Sequence, residues 1–86
     1  MMYRIYTEDT NRAGIEAIVA QHFTGFTIYT ATGYWNGIRE NSLVIEIVCS
    51  VYHYRLILLV ASQIKAINKQ ESVMLLKFNE AEAEYV

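Results

Sequence analysis

Four residues around one predicted turn carry the clearest chemical potential in this chain. Tyr34 and Trp35 precede Asn36-Gly37, and Arg39 and Glu40 follow it closely. Asn-Gly between two runs of strand-forming residues marks a two-residue type I′ hairpin turn, because both central positions need a positive φ. Counting outward from that turn sets Trp35 opposite Ile38, Tyr34 opposite Arg39 and Gly33 opposite Glu40. Aromatic rings beside a carboxylate suit a cationic ligand: the ring faces attract positive charge and the carboxylate neutralises it. The same residues also read as plain structure, with Trp35 plugging a subunit contact and Tyr34/Arg39 an ordinary cross-strand pair of ~0.2–1 kcal/mol. A second polar group, Gln70-Glu71-Ser72, stands before the last predicted strand, where it either reads a base edge or forms a solvated loop.

Other chemistries find no support. His22 and His53 lie far apart in sequence, and His22 sits on an apolar helical stripe, as a core or interface histidine does. Cys49 is the single cysteine, so neither an internal disulfide nor a cysteine-ligated zinc site can form. It follows an apolar strand without a basic neighbour, which predicts an inert, buried thiol. Neither a GxGxxG nor a phosphate-loop pattern occurs, and no Ser/His/Asp or Cys/His constellation is legible. No metal and no cofactor are expected.

Composition narrows the class further. At 86 residues the chain is one small domain, and a domain of that size buries only about 60% of its extended surface. It is 53% hydrophobic and 19% charged with a formal net charge of −2, which argues against disorder. Seven Lys and Arg against nine Asp and Glu, with the basic residues scattered, argue against a nucleic-acid partner. The apolar run Leu43 to Ala61 carries Glu46, His53 and Arg55. Each charge near a bilayer centre costs ~3 kcal/mol, so the run reads as soluble and no membrane partner is expected. A single cysteine and a start without a long apolar stretch favour the cytoplasm.

These residues need a scaffold, and its elements follow from periodicity and turn chemistry. Residues 2–7 alternate as a first strand, and the polar Glu8-Asp9-Thr10-Asn11 opens a helix over about 11–23. Ile15, Ile18, Val19, His22 and Phe23 fall on one helical stripe, and Gly25 ends it. Strands over 26–35 and 38–48 flank Asn36-Gly37. One face of that hairpin carries Phe26, Ile28, Thr30, Leu43, Ile45 and Ile47; the other carries Thr27, Tyr29, Ala31, Ser42, Val44 and Glu46.

Ser50 is an N-cap candidate for a second helix over 52–68, whose predicted core side is Tyr52, Leu56, Leu59, Val60, Gln63 and Ile67. A strand over 72–78 is apolar on both faces, and the acidic tail 79–86 is expected either to stay solvated or to pair as a short edge strand. The order β-α-β-β-α-β predicts an α+β ferredoxin-like fold, an antiparallel sheet with two helices on one face. The opposite face, carrying Tyr29, Ala31 and Val44, is too apolar to stand in water and predicts self-association.

The hairpin Gly33-Tyr34-Trp35-Asn36-Gly37-Ile38-Arg39-Glu40-Asn41-Ser42-Leu43 resembles the Trp-containing hairpin of the PII/CutA-like trimeric proteins. Gln70-Glu71-Ser72-Val73-Met74 resembles the start of the last core strand in small, often phage-borne, members of that superfamily. The resemblance implies a homotrimer with sites for adenine-containing small molecules in clefts between subunits. One branch of similar layout is the phage-type S-adenosylmethionine lyase, which yields methylthioadenosine and homoserine lactone. Through it, Tyr34 and Glu40 become the catalytic candidates; Trp35, Arg39, Gln70, Glu71 and Met74 become substrate-binding ones. Two alternatives stay open: a non-catalytic nucleotide-binding sensor, and a phage-encoded interaction or inhibitor protein whose Tyr-rich surface docks on a host protein.

Overall fold

The computed structural model of the chain describes residues 1–79 and 83–85. Seven elements succeed one another: β1 (Met2–Glu8), α1 (Arg12–His22), β2 (Thr27–Trp35), β3 (Ile38–Val48), a 3-10 turn (Val51–His53), α2 (Tyr54–Ile67) and β4 (Met74–Phe78). The four strands form one antiparallel sheet in the order β2-β3-β1-β4. This is the ferredoxin-like α+β arrangement expected from the element order. The expected pairing of the acidic tail falls in part on residues 80–82 and 86, outside the described set; Glu84 is exposed and in no regular element.

Local chemistry explains the boundaries. Asn11 caps α1, its side-chain oxygen accepting from the Gly14 amide at 3.1 Å. Asn36 and Gly37 take φ of 50° and 76°, as the type I′ turn requires. The resulting register is the expected one, Trp35↔Ile38 through Thr27↔Glu46. Ser50 accepts from the Tyr52 amide and opens the 3-10 turn ahead of α2.

Pleating sends Tyr3, Ile5 and Thr7 of β1 to the same side as Leu43, Ile45 and Ile47 of β3. All six are buried, and the apolar five join Ile15 and Val19 of α1 and Ile57, Val60, Ala61 and Ile64 of α2 in one core. The α1 stripe is therefore as expected, with Ile15 and Val19 at its centre and Ile18 and Phe23 packed beside them.

The face of α2 differs from expectation. Tyr52 lies in the 3-10 turn and is 93% exposed, Leu59 is 44% exposed, and Ile67 is also on the outside. The core side is Ile57, Val60, Ala61 and Ile64, so only Val60 of the expected stripe is fully buried. Two features cause the shift. A 3-10 turn advances three residues per turn rather than 3.6, which rotates the phase of the helix beyond it. Moreover, α2 is apolar on nearly every side, with Arg55 and Lys65 its only charges, so several stripes were open to it.

Candidate functional site

The hairpin outruns its neighbour. β1 ends with Glu8 opposite Ser42, so the ribbon from Gly33 to Glu40 extends past the rest of the sheet. Its tip is apolar and in solvent: Tyr34, Trp35 and Ile38 are 70%, 72% and 70% exposed. Gly33 lies beneath Glu40 and Ser42. A Cβ there would stand 2.8 Å from the Ser42 Oγ and 3.7 Å from a Glu40 carboxylate oxygen, so the bare backbone lets both side chains fold across the ribbon.

The pleat sorts the candidate residues. Gly33 and Trp35 on β2, and Ile38, Glu40 and Ser42 on β3, share the face turned away from the helices. Tyr34 and Arg39 form a cross-strand pair on the other side of the ribbon. Tyr34 and Glu40 of one chain are thus not brought together. Met74 opens β4 opposite Tyr6, on the same open face as Glu40, and is 52% exposed.

Gln70 is held elsewhere. Its side-chain oxygen accepts from the Thr7 hydroxyl, from the Asn68 amide nitrogen at 3.2 Å and from the Glu8 backbone N–H at 3.3 Å. Asn68 also donates to the Thr7 hydroxyl at 2.9 Å and to the Glu8 carbonyl at 3.0 Å. Because β4 first pairs at Tyr6, Gln70 supplies a missing ladder acceptor at Glu8 and ties the end of α2 to the end of β1. Glu71, next in sequence, is exposed.

The open face holds a group that periodicity did not single out. Val44, between Tyr6 and Tyr29 in the cross-strand register, is only 1% exposed although no helix covers this side. Beside it, Arg4 donates from Nε to Glu46 at 2.7 Å, and its Nη2 stands 2.5 Å from the same carboxylate oxygen. Tyr29 donates its hydroxyl to Glu46 at 3.3 Å, and Arg4 donates to the Tyr6 hydroxyl at 3.4 Å. The guanidinium also lies 4.9 Å from the Phe78 ring centre. Burial, then the nearby Glu46 charge, pushes the Tyr29 phenol up.

Glu46 is thereby neutralised, whereas Glu40 has no cationic partner among the described residues. The Arg4–Glu46 pair thus sits among apolar and aromatic residues on this face. The signal present in sequence was the pairing of Arg4 with Glu46, but it needs the β1–β3 register, which joins residues 42 positions apart.

Other residues fall where plain structure puts them. Cys49 is half-buried, and burial pushes its thiol up, as an inert thiol requires. Among the described residues no three His, Cys, Asp or Glu side chains gather as a metal site, and no helix is long and apolar enough to cross a membrane.

No protein-family model and no curated protein sequence matches the chain. Solved structures do. The chain is similar to the crystal structure of a DUF3240 family protein from Shewanella baltica OS155, with a TM-score of 0.68 over 98% of this chain and 94% of that one, at 8% identity. It is also similar to Foldit4, a de novo designed protein, with a TM-score of 0.52 at 18% identity over 93% of this chain and 94% of the design. At such identities the likeness shows the shared fold alone.

Proposed function

We propose that copies of this chain bury the open sheet face against one another as a homotrimer, and that the clefts so formed take an adenosine-type small molecule. The observation that carries the self-association is that uncovered face. Tyr29, Met74, Leu76 and Phe78 lie on it with no helix above them, around the Arg4–Glu46 pair. A face of this kind in a small domain is stabilised by a partner surface rather than by water. Glu40, Trp35 and Met74 share that side and line the cleft. Tyr34 and Arg39 point the other way and reach a ligand only from a neighbouring copy. Gln70 acts by holding the strand entrance beside Glu71, its own side chain being engaged.

The reaction that suits this set is cleavage of S-adenosylmethionine. One carboxylate oxygen of the substrate attacks the γ-carbon attached to sulfur, forming the ring C–O bond of homoserine lactone. The C–S bond breaks, its electron pair returns to sulfur, and neutral methylthioadenosine leaves. No proton moves and nothing is oxidised, so the protein needs neither nucleophile nor metal. Its task is to fold the substrate into the attacking shape, a contribution of ~7–11 kcal/mol in favourable intramolecular cases. Glu40, without a cationic partner of its own, stands beside the sulfonium.

The test is incubation of the purified chain with S-adenosylmethionine. Methylthioadenosine should accumulate above the uncatalysed background and fall sharply with Glu40→Gln. No product above background removes the lyase reading. The exposed tip of Tyr34, Trp35 and Ile38 favours one second reading, docking on another protein, since Trp and Tyr are common interface anchors. Retention of a partner that is lost with Trp35→Ala, together with no turnover, would select it.

A further inference from the structure

Glu8 places a second carboxylate on the face that carries Glu40. It closes β1 opposite Ser42, and pleating turns its side chain to the open side with Arg4 and Tyr6. Glu40 lies two residues from Ser42 along β3, so Glu8 and Glu40 are diagonal neighbours with Cα atoms roughly 7–8 Å apart. Both residues are half-buried, and neither has a cationic partner among the described residues. Arg4, the guanidinium on this side of β1, is already engaged by Glu46. The backbone of Glu8 is held at both its polar groups: its N–H donates to Gln70 Oε1 at 3.3 Å, and its carbonyl accepts from Asn68 Nδ2 at 3.0 Å. The carboxylate therefore projects from a fixed point, at the rim where β1 stops and the ribbon runs on.

The space between the two carboxylates is built for a ligand. Ser42 is 8% exposed, and its hydroxyl makes no hydrogen bond among the described residues. It leans over Gly33, the partner of Glu40, where a Cβ would stand 2.8 Å from the Ser42 Oγ. A buried hydroxyl without a partner is unfavourable, so a ligand group that pairs with it gains binding energy. Ala31 and Gly33 lie across the ribbon from Ser42 and Glu40. On β2 the floor between Tyr29 and Trp35 thus carries nothing larger than a methyl group.

We infer that Glu8 binds the α-ammonium group of the substrate while Glu40 faces its sulfonium, so that the site selects a ligand with two positive charges three carbons apart. This rests on the adenosine-type cleft proposed above and names the residue that reads the amino-acid end of the ligand. Sulfur and nitrogen are four bonds apart in S-adenosylmethionine, at most about 6 Å at roughly 1.5 Å per bond. That span fits between two carboxylates in diagonal register. The Ser42 hydroxyl, set between them, accepts a hydrogen bond from the ammonium.

The decarboxylated substrate, S-adenosyl-3-methylthiopropylamine, serves as the probe: it keeps both charges but has no carboxylate and cannot cyclise. Its propyl counterpart, with hydrogen in place of the amino group, keeps the sulfonium alone. In isothermal titration calorimetry of the full chain, the amine should bind at least tenfold more tightly than the propyl compound. Glu8→Gln should erase that preference while leaving affinity for the propyl compound within about twofold, and Glu8→Asp should keep part of it. Glu40→Gln should weaken both ligands, and far-UV circular dichroism checks that each variant is folded. The inference is overturned if the wild-type protein binds the two ligands alike, or binds neither at millimolar concentration. A folded Glu8→Gln variant that keeps the full preference overturns it as well. Amine-selective binding without methylthioadenosine from S-adenosylmethionine removes the lyase reading and leaves Glu8 in its role. Turnover of S-adenosylmethionine without preference for the amine removes the role of Glu8 and leaves the lyase reading standing.

Discussion

Replacing Gln70 by Ala removes an acceptor that three donors share: the Thr7 hydroxyl, the Asn68 amide and the Glu8 backbone N–H. Thr7 is 4% exposed, so its hydroxyl has little access to water once the acceptor is gone. Each intramolecular hydrogen bond contributes about 1 kcal/mol net, and a buried donor left unpaired adds a further penalty. Asn68 still reaches Thr7 and Glu8, which limits its own loss. The expected destabilisation is therefore about 2–3 kcal/mol, carried mainly by Thr7 and Glu8.

In urea, at an m-value of about 1–3 kcal/mol/M, this moves the unfolding midpoint down by about 0.7–3 M. Far-UV circular dichroism reads it, with all variants at one protomer concentration because association shifts apparent stability. Gln70→Glu keeps the acceptor oxygens and loses only the 3.4 Å donation from Nε2 to the Ser72 carbonyl. It should retain most of the wild-type midpoint. A Gln70→Ala variant within about 0.5 kcal/mol of wild type, the usual range for surface changes, would refute the assignment of Gln70 as the lock between α2 and β1.

Ile57→Ala, on the fully buried side of α2, should cost about 2–5 kcal/mol. Leu59→Ala, on the outer side, should cost less than about 1 kcal/mol; the reverse order by urea unfolding would restore the stripe read from sequence. Burial pushes the phenols of Tyr3 and Tyr29 above their ordinary value. The unfolded chain therefore loses these protons first, and their contribution to stability, whole below about pH 10, should fall as pH rises beyond it. Unfolding free energies at pH 9 and 11, with phenolate absorbance followed in parallel, check the direction; a rise toward pH 11 would contradict it. Tyr3→Phe should not destabilise the fold at neutral pH, since the hydroxyl is buried with no partner among the described residues.

The legible part of the fold came from local chemistry. Asn36-Gly37 sets the hairpin register by turn geometry alone, and every pair from Trp35↔Ile38 to Thr27↔Glu46 comes by counting. The first helix had a single apolar stripe, and Asn11 was there to cap it. The second helix offered no such contrast, and the 3-10 turn at Val51–His53 shifted its phase. The candidate site shows the same division. Placing Tyr34 opposite Arg39 also turns Tyr34 and Glu40 to opposite faces, a consequence of the pleat. The Gln70 lock and the Arg4–Glu46 knot join residues 63 and 42 positions apart. No local pattern encodes contacts made only once β1 lies between β3 and β4.

The proposed function depends on the open face being an interface between copies. Sedimentation equilibrium of the purified chain at micromolar concentration measures this directly. It should return the mass of a trimer of 9.9 kDa chains, and Met74→Lys, placing a charge on the exposed part of that face, should shift the population toward single chains. A wild-type protein that sediments as a folded 9.9 kDa monomer, unchanged by Met74→Lys, would rule that interface out.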